Sequence, residues 1–144
     1  MKKLFCAVTA MALAATTFAA PKKVALKVWE SDGPEKAFIT FAARQYKKVD
    51  PSVKITYEPV ASTDARAKIE LDGPAGVGAD IFVAPHDHIG ALVEGGHVLP
   101  VDDADEYLAN FEDMAKTGAS YGGAVYGYPL GAETYALFYN KALI

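Results

Sequence analysis

Apolar and polar residues alternate along "VALKVW", Val24–Trp29, in a stretch rich in β-formers, and the spacing predicts a strand. In the "SDGP" that follows, Ser31 or Asp32 is placed to cap a helix and Pro34 to sit in its first turn. The period then changes. Along "PEKAFITFAARQYKK", Phe38, Phe41, Ala42 and Gln45 share one face, with Ile39, Ala43 and Tyr46 beside it. Lys47 and Lys48 complement the dipole at the end of that helix, and Asp50-Pro51 breaks it. Alternation returns in "VKITYEP", a second strand over Val53–Glu58. Ser62 or Thr63 opens a helix running to about Leu71, and "DGPAGVGAD" is a turn-rich loop. "DIFVA", Asp80–Ala84, is short and continuously apolar, the pattern of a strand buried on both faces. "HIGALVEGG" predicts a short helix closed by Gly95-Gly96, and "HVLPVDD" an extended stretch. "DEYLANFEDMAKTG" sets Tyr107, Leu108, Phe111, Met114 and Ala115 at helical spacing. "YGGAVYGYPLG" reads as a hairpin and "TYALFYN" as a last strand.

Strand and helix thus alternate three times, the signature of an open, mainly parallel α/β sheet with helices on both faces. The start of the chain stands outside this pattern. Lys2 and Lys3 precede the apolar "LFCAVTAMALAATTFA", and small residues close it, as in a secretory signal peptide cleaved after Ala19. The segment is too short to span a membrane. The single cysteine, Cys6, lies near its start and not at the cleavage point, which argues against a lipid anchor. Removing residues 1–19 takes away two lysines and no acid, leaving 12 basic and 18 acidic residues and no cysteine. The exported chain therefore cannot use disulfides. Its acidic balance argues against nucleic acid and against an anionic membrane surface. At the other end, "ETYALFYNKALI" stops inside an apolar pattern, and the expectation is a fragment of a longer protein.

In open sheets of this kind ligands sit outside the carboxyl ends of the strands. "ESD", Glu30–Asp32, follows the first strand, and "HDH", His86–His88, follows the third. Glu133 lies where the hairpin gives way to the last strand. Carboxylates accept strong hydrogen bonds from hydroxyls, and aromatic rings offer flat apolar area, so such a cleft suits a polyhydroxyl ligand. A metal site is the competing reading. His86 and His88, two apart on extended backbone, would point the same way, with His97 and Asp87 or Asp80 to complete a set. No HExxH motif supports it. "GPAGVG" precedes a strand and lacks the Lys-Ser/Thr of a phosphate loop. No GxSxG elbow is present, and Asp102-Asp103 sit where helix capping accounts for them.

The signal peptide, "LKVWESDGPEKAFITFAARQYKKVDPSVKITYEPV", "GADIFVAPHDHIGALVEGGHVLPV" and "YGGAVYGYPLGAETYALFYNKALI", in this order, resemble the N-terminal part of maltose/maltodextrin-binding proteins, the solute-binding family that serves ABC sugar importers. The resemblance covers residues 24–144. It implies a periplasmic-binding-protein-like (type II) lobe, incomplete here: residues 1–19 the signal peptide, 20–128 part of the N-terminal lobe, and 129–144 the hinge or crossing strand and the start of the next element. It implies a second lobe closing on an oligosaccharide, a membrane permease as partner, a monomer in the periplasm, no cofactor and no catalysis. A carbohydrate-active enzyme remains the third reading. Residue by residue, Asp87 matches the family's sugar-binding aspartate in its "HD" loop, and Glu133 the glutamate at the hinge. Ser31 and Asp32 fall where the family has further polar contacts, and Asp64 stands in the place of a sugar-contacting acid of the family. His86 orients the loop. Where the family often has a tryptophan before "HD", this chain has Ala84 or Pro85, and His88 replaces an arginine after it.

Overall fold

The computed structural model describes residues 23–133 and 136–143. The signal peptide expected over residues 1–19 lies outside the described residues. Strand β1, Val24–Glu30, is central, with β2, Val53–Pro59, and β3, Ile81–Phe82, parallel on either side. Helix α1, Pro34–Val49, joins β1 to β2, and α2, Ala65–Asp72, joins β2 to β3. Right-handed crossovers in opposite directions put the two helices on opposite faces of the sheet.

The register makes this explicit. Val28 pairs with Tyr57 and Glu30 with Pro59, while Trp29 pairs with Glu58 on one side and Phe82 on the other. Successive side chains alternate faces. Lys36 of α1 lies over the Tyr57 ring, 5.7 Å from its centroid, and Lys68 of α2 lies 4.8 Å from the Trp29 centroid. The core sits on the α2 face. Trp29 is fully buried among Val60, Ala65, Ile69 and Leu92, with Ala79, Phe82, Ala84 and Val98 packed around them. Its indole N–H donates to Glu58 at 3.1 Å, which satisfies the one polar atom of the ring.

The α1 face is looser. Ile39, Ala42 and Ala43 turn toward the sheet, and no residue of α1 is buried. The face expected to be apolar and covered leaves Phe38 and Phe41 exposed by 54% and 60%. A cleft of about 530 Å³ runs between α1 and the amino-terminal halves of β1 and β2, lined by Ala25, Ile39, Ala43, Val53 and Ile55.

Other expectations need correction. The α1 N-cap is Gly33, at φ 131°, with no side-chain cap. Ser31 and Asp32 are otherwise engaged: Ser31 Oγ accepts the Ser62 N–H, and Asp32 accepts the Gly33 N–H at 3.2 Å. Helix α2 opens after a turn over Ala61–Asp64, without a side-chain cap from Ser62 or Thr63. β3 is shorter than the apolar run, although Asp80 N–H to Lys27 C=O and Val83 N–H to Trp29 C=O extend its bonding. After α3, Ile89–Glu94, the helix expected through "DEYLANFEDMAKTG" is two: α4, Ala104–Leu108, and α5, Asp113–Gly118. Phe111 N–H turns back to Leu108 C=O, and Glu112 is extended, its C=O accepting from Ala115 and Lys116. One helix would have aligned Tyr107, Leu108, Phe111 and Met114. Phe111 stacks on Tyr107 at 5.2 Å, and Met114 is exposed. The hairpin is as expected, β4 Ser120–Tyr121 and β5 Ala124–Val125 around Gly122-Gly123. Both glycines have positive φ, 58° and 88°, as a tight two-residue hairpin turn demands. The last strand over "TYALFYN" is not formed in its described part: residues 136–140 carry no regular structure.

Candidate functional site

With the order β2-β1-β3, the crossovers from β1 to β2 and from β2 to β3 run in opposite directions across the sheet, and the crevice between the carboxyl ends of β1 and β3 is the topological switch point. The loop Ser31–Gly33 leaves β1 on one side of that crevice, and Ala84–His88 leaves β3 on the other. The loop Val60–Asp64 leaves β2 beside the first.

The first and third of these loops are fastened together. Val60 N–H donates to Glu30 C=O at 3.0 Å, continuing the β1–β2 ladder past its end. Ser62 N–H donates to Ser31 Oγ at 3.2 Å, and Tyr57 Oη–H to Ser31 C=O at 3.1 Å. Asp32 stays exposed, 3.6 Å from Lys36 Nζ one helical turn on. Asp64 is exposed at the start of α2. Partial burial, and then the negative charges of Asp32, Glu30 and Glu35, push the Tyr57 phenol above its usual range, so it stays a neutral donor.

On the far side, His86–His88 form a single 3₁₀ turn after Pro85, leading directly into α3. Asp87 is exposed. The turn is backed by close approaches, tightest at Gly90. A Cβ at Gly118 would lie 3.4 Å from His86 Cβ, and one at Gly90 only 2.8 Å from the Tyr121 ring. Tyr121 Oη–H also donates to Glu94 at the far end of α3.

The histidines do not share a direction, contrary to the extended-backbone expectation. At roughly three residues per turn, positions i and i+2 of a 3₁₀ turn point well apart. His88 Nδ1 is shielded from solvent without a hydrogen-bond partner, and His97 folds over Gly95 at the end of α3. Asp80 spends one carboxylate oxygen on Lys27 N–H at 2.7 Å, at the edge of the sheet. Among the described residues no three His, Cys, Asp or Glu gather where they could hold a metal ion. Asp102 and Asp103 precede α4, where Asp103 accepts the Tyr128 phenol at 2.6 Å.

The structure thus brings Ser31, Asp32 and Asp64 to one side of the crevice and His86, Asp87 and His88 to the other. Glu133 is exposed on irregular backbone beyond the hairpin, outside the sheet. Lys36 and Tyr57 were missed from sequence. The Asp32–Lys36 spacing and the shared face of Tyr57 and Val28 were the available signals.

A model of the family described as bacterial extracellular solute-binding protein matches residues 40–144. The chain belongs to this family. It is a family of solute-binding proteins, not of enzymes. The maltotriose-binding protein of Pyrococcus abyssi is 33% identical over 120 residues, which is 81% of this chain and 26% of that protein. The maltodextrin-binding protein of Bacillus subtilis is 33% identical over 126 residues, 79% of this chain and 29% of the relative. The chain therefore spans little more than a quarter of the length of these relatives. A crystal structure of a cyclo/maltodextrin-binding protein complexed with maltotetraose superposes with a TM-score of 0.65 at 33% identity, covering 76% of this chain and 29% of that one. The fold is that of a periplasmic-binding-protein lobe, present in part.

Proposed function

We propose that this chain is the first part of a two-lobed protein that captures maltodextrin-like oligosaccharides and delivers them to an ABC importer. The observation that carries this reading is the crevice at the switch point, where loops bearing Asp32, Asp64 and Asp87 converge at the carboxyl ends of three parallel strands. Exposed carboxylates there can accept hydrogen bonds from sugar hydroxyls. Relatives whose names specify maltotriose and maltodextrin support the choice of ligand class.

In this reading Asp87 and Glu133 hold the sugar, one from the first lobe and one from the crossing segment of residues 129–144. Asp32, Asp64, His86 and His88 add polar contacts. Residues 20–128 are the bulk of the first lobe, the ligand closes the two lobes as a clamp, and the protein works as a periplasmic monomer beside a membrane permease. Ala84 and Pro85 supply no stacking ring before the turn, and its last residue, His88, stands where the family often has an arginine, so this side of the crevice grips mainly through Asp87.

The test is calorimetric titration of the whole protein with maltotriose. Saturable binding without turnover of the sugar is the expected result. A protein that binds no maltooligosaccharide overturns the reading. Export is checked separately, by N-terminal sequencing of the secreted protein, which should begin at Ala20.

A further inference from the structure

Ser31 makes three hydrogen bonds within the chain. Its N–H donates to Glu30 Oε1 at 2.6 Å, its C=O accepts from Tyr57 Oη–H at 3.1 Å, and its Oγ accepts from Ser62 N–H at 3.2 Å. Glu30 is the one buried charged residue among those described, 5% exposed at the last position of β1. A carboxylate in that place is costly unless hydrogen-bonded, and its bonded partner is the backbone of the next residue. An apolar residue would fill the same volume at lower cost. What the carboxylate adds is a fixed direction for the chain as it leaves the strand.

We infer that Glu30 and Ser31 are positioning residues, a latch that locks the Ser31–Gly33 loop against the Val60–Asp64 loop and sets Asp32 in place at the crevice before ligand arrives. This deepens, and rests on, the sugar-binding reading of the same crevice. Ser31 acts through these three bonds, which tie its backbone and Oγ to Glu30, Tyr57 and Ser62. Tyr57, kept neutral by its surroundings, holds the third corner of the latch. Binding groups held in place beforehand spare the ordering cost that a mobile loop pays on association.

The experiment is a double-mutant cycle in the whole protein, titrated calorimetrically with maltotriose. Glu30→Gln keeps a carbonyl acceptor for Ser31 N–H and should bind within about threefold of the unaltered protein, whereas Glu30→Met removes the acceptor and should weaken binding by about tenfold or more. In an Asp32→Ala background the Glu30→Met loss should largely vanish, because the group being positioned is gone. A merely structural role would give the same loss in both backgrounds, and that result overturns the inference. So does unchanged affinity in Glu30→Met. If Glu30→Met fails to fold, Ser31→Ala takes its place in the cycle: it removes only the tether to Ser62, and its loss should likewise disappear with Asp32→Ala. An unaltered protein that binds no maltooligosaccharide sinks both the sugar-binding reading and the latch. An unaltered protein that binds, with variants that bind equally well, sinks the latch alone.

Discussion

The two faces of the sheet are built to different standards. On the α2 face an eight-residue helix buries Ala65 and Ile69 against Trp29, which is fully enclosed, while Lys68 covers its ring and Glu58 takes its N–H. On the other face a helix twice as long, with 16 residues, buries none of them and leaves Phe38 and Phe41 in the open over a cleft. The lesson concerns where the information for each face resides. Everything that closes the α2 face lies within residues 23–98. The α1 face has apolar surface to bury, and the described residues supply too little to cover it.

The largest expected effect follows from the closed face. Trp29→Ala should cost about 3–5 kcal/mol, the usual penalty for deleting a large buried aromatic. Urea unfolding is the measurement, and a loss below about 1 kcal/mol would show that the two faces do not differ as described. Next come the two carboxylates proposed to hold the sugar. In the whole protein, Asp87→Ala and Glu133→Ala should each weaken maltotriose binding by about 1.5–3 kcal/mol, the scale of a hydrogen bond to a charged group. Unchanged affinity in both variants would remove them from the site.

The open face gives the sharper discrimination. With Phe41 exposed by 60%, Phe41→Ala should change stability by no more than about 0.5 kcal/mol. A loss of about 3 kcal/mol in the whole protein would break the comparison, because it would mean that a segment outside the described residues covers α1. The chain's share of its relatives, 26% and 29%, leaves ample length for such a segment in a whole protein of their size.

This asymmetry also decides what could be read from the sequence. The three strands were legible because period-2 alternation in "VALKVW" and "VKITYEP", and the unbroken "DIFVA", depend only on neighbours along the chain. From their order, the crevice and the place of Asp32 and Asp87 followed. What stayed hidden depends on contacts distant in sequence. Phe38 and Phe41 look like core residues by periodicity, but the sheet offers its surface to Ile39 and Ala43 instead. No glycine or proline marks the break between Leu108 and Asp113, where Phe111 N–H turns back to Leu108 C=O. The 3₁₀ turn at His86–His88 stands where an extended loop is expected, and Gly90 lets Tyr121, distant in sequence, press close behind it. The place of Ser31 in the loop after the first strand was legible, but its three hydrogen bonds within the chain were not. The strand expected near Glu133 needs a pairing partner, and the described residues provide none.

The smallest effect tests the closed face through its own reporter. Trp29 is the chain's single tryptophan, with Lys68 Nζ over its ring. The Lys68 ammonium is held above its ordinary value of 10.5, chiefly by its 2.6 Å hydrogen bond to Asp72, against some desolvation, with the charges of Asp72 and Glu58 helping. Lys27, 3.6 Å from the same Glu58, faces the same cluster. A folded-state value raised above the unfolded one means that the contribution is fully present below pH 10.5 and is lost as pH rises through the folded value. The pair is partly exposed, so the slope is shallow and screened by salt. Tyr57, Tyr121 and Tyr128 are also raised and lose stability in the same direction, so the signal is the difference between the unaltered protein and Lys68→Gln. Stability followed from about pH 9 to about pH 11 should fall more steeply in the former, with a Trp29 emission change that the variant lacks. Equal slopes and equal emission would place Lys68 off the ring, and the α2 face would then close without the cation that covers it.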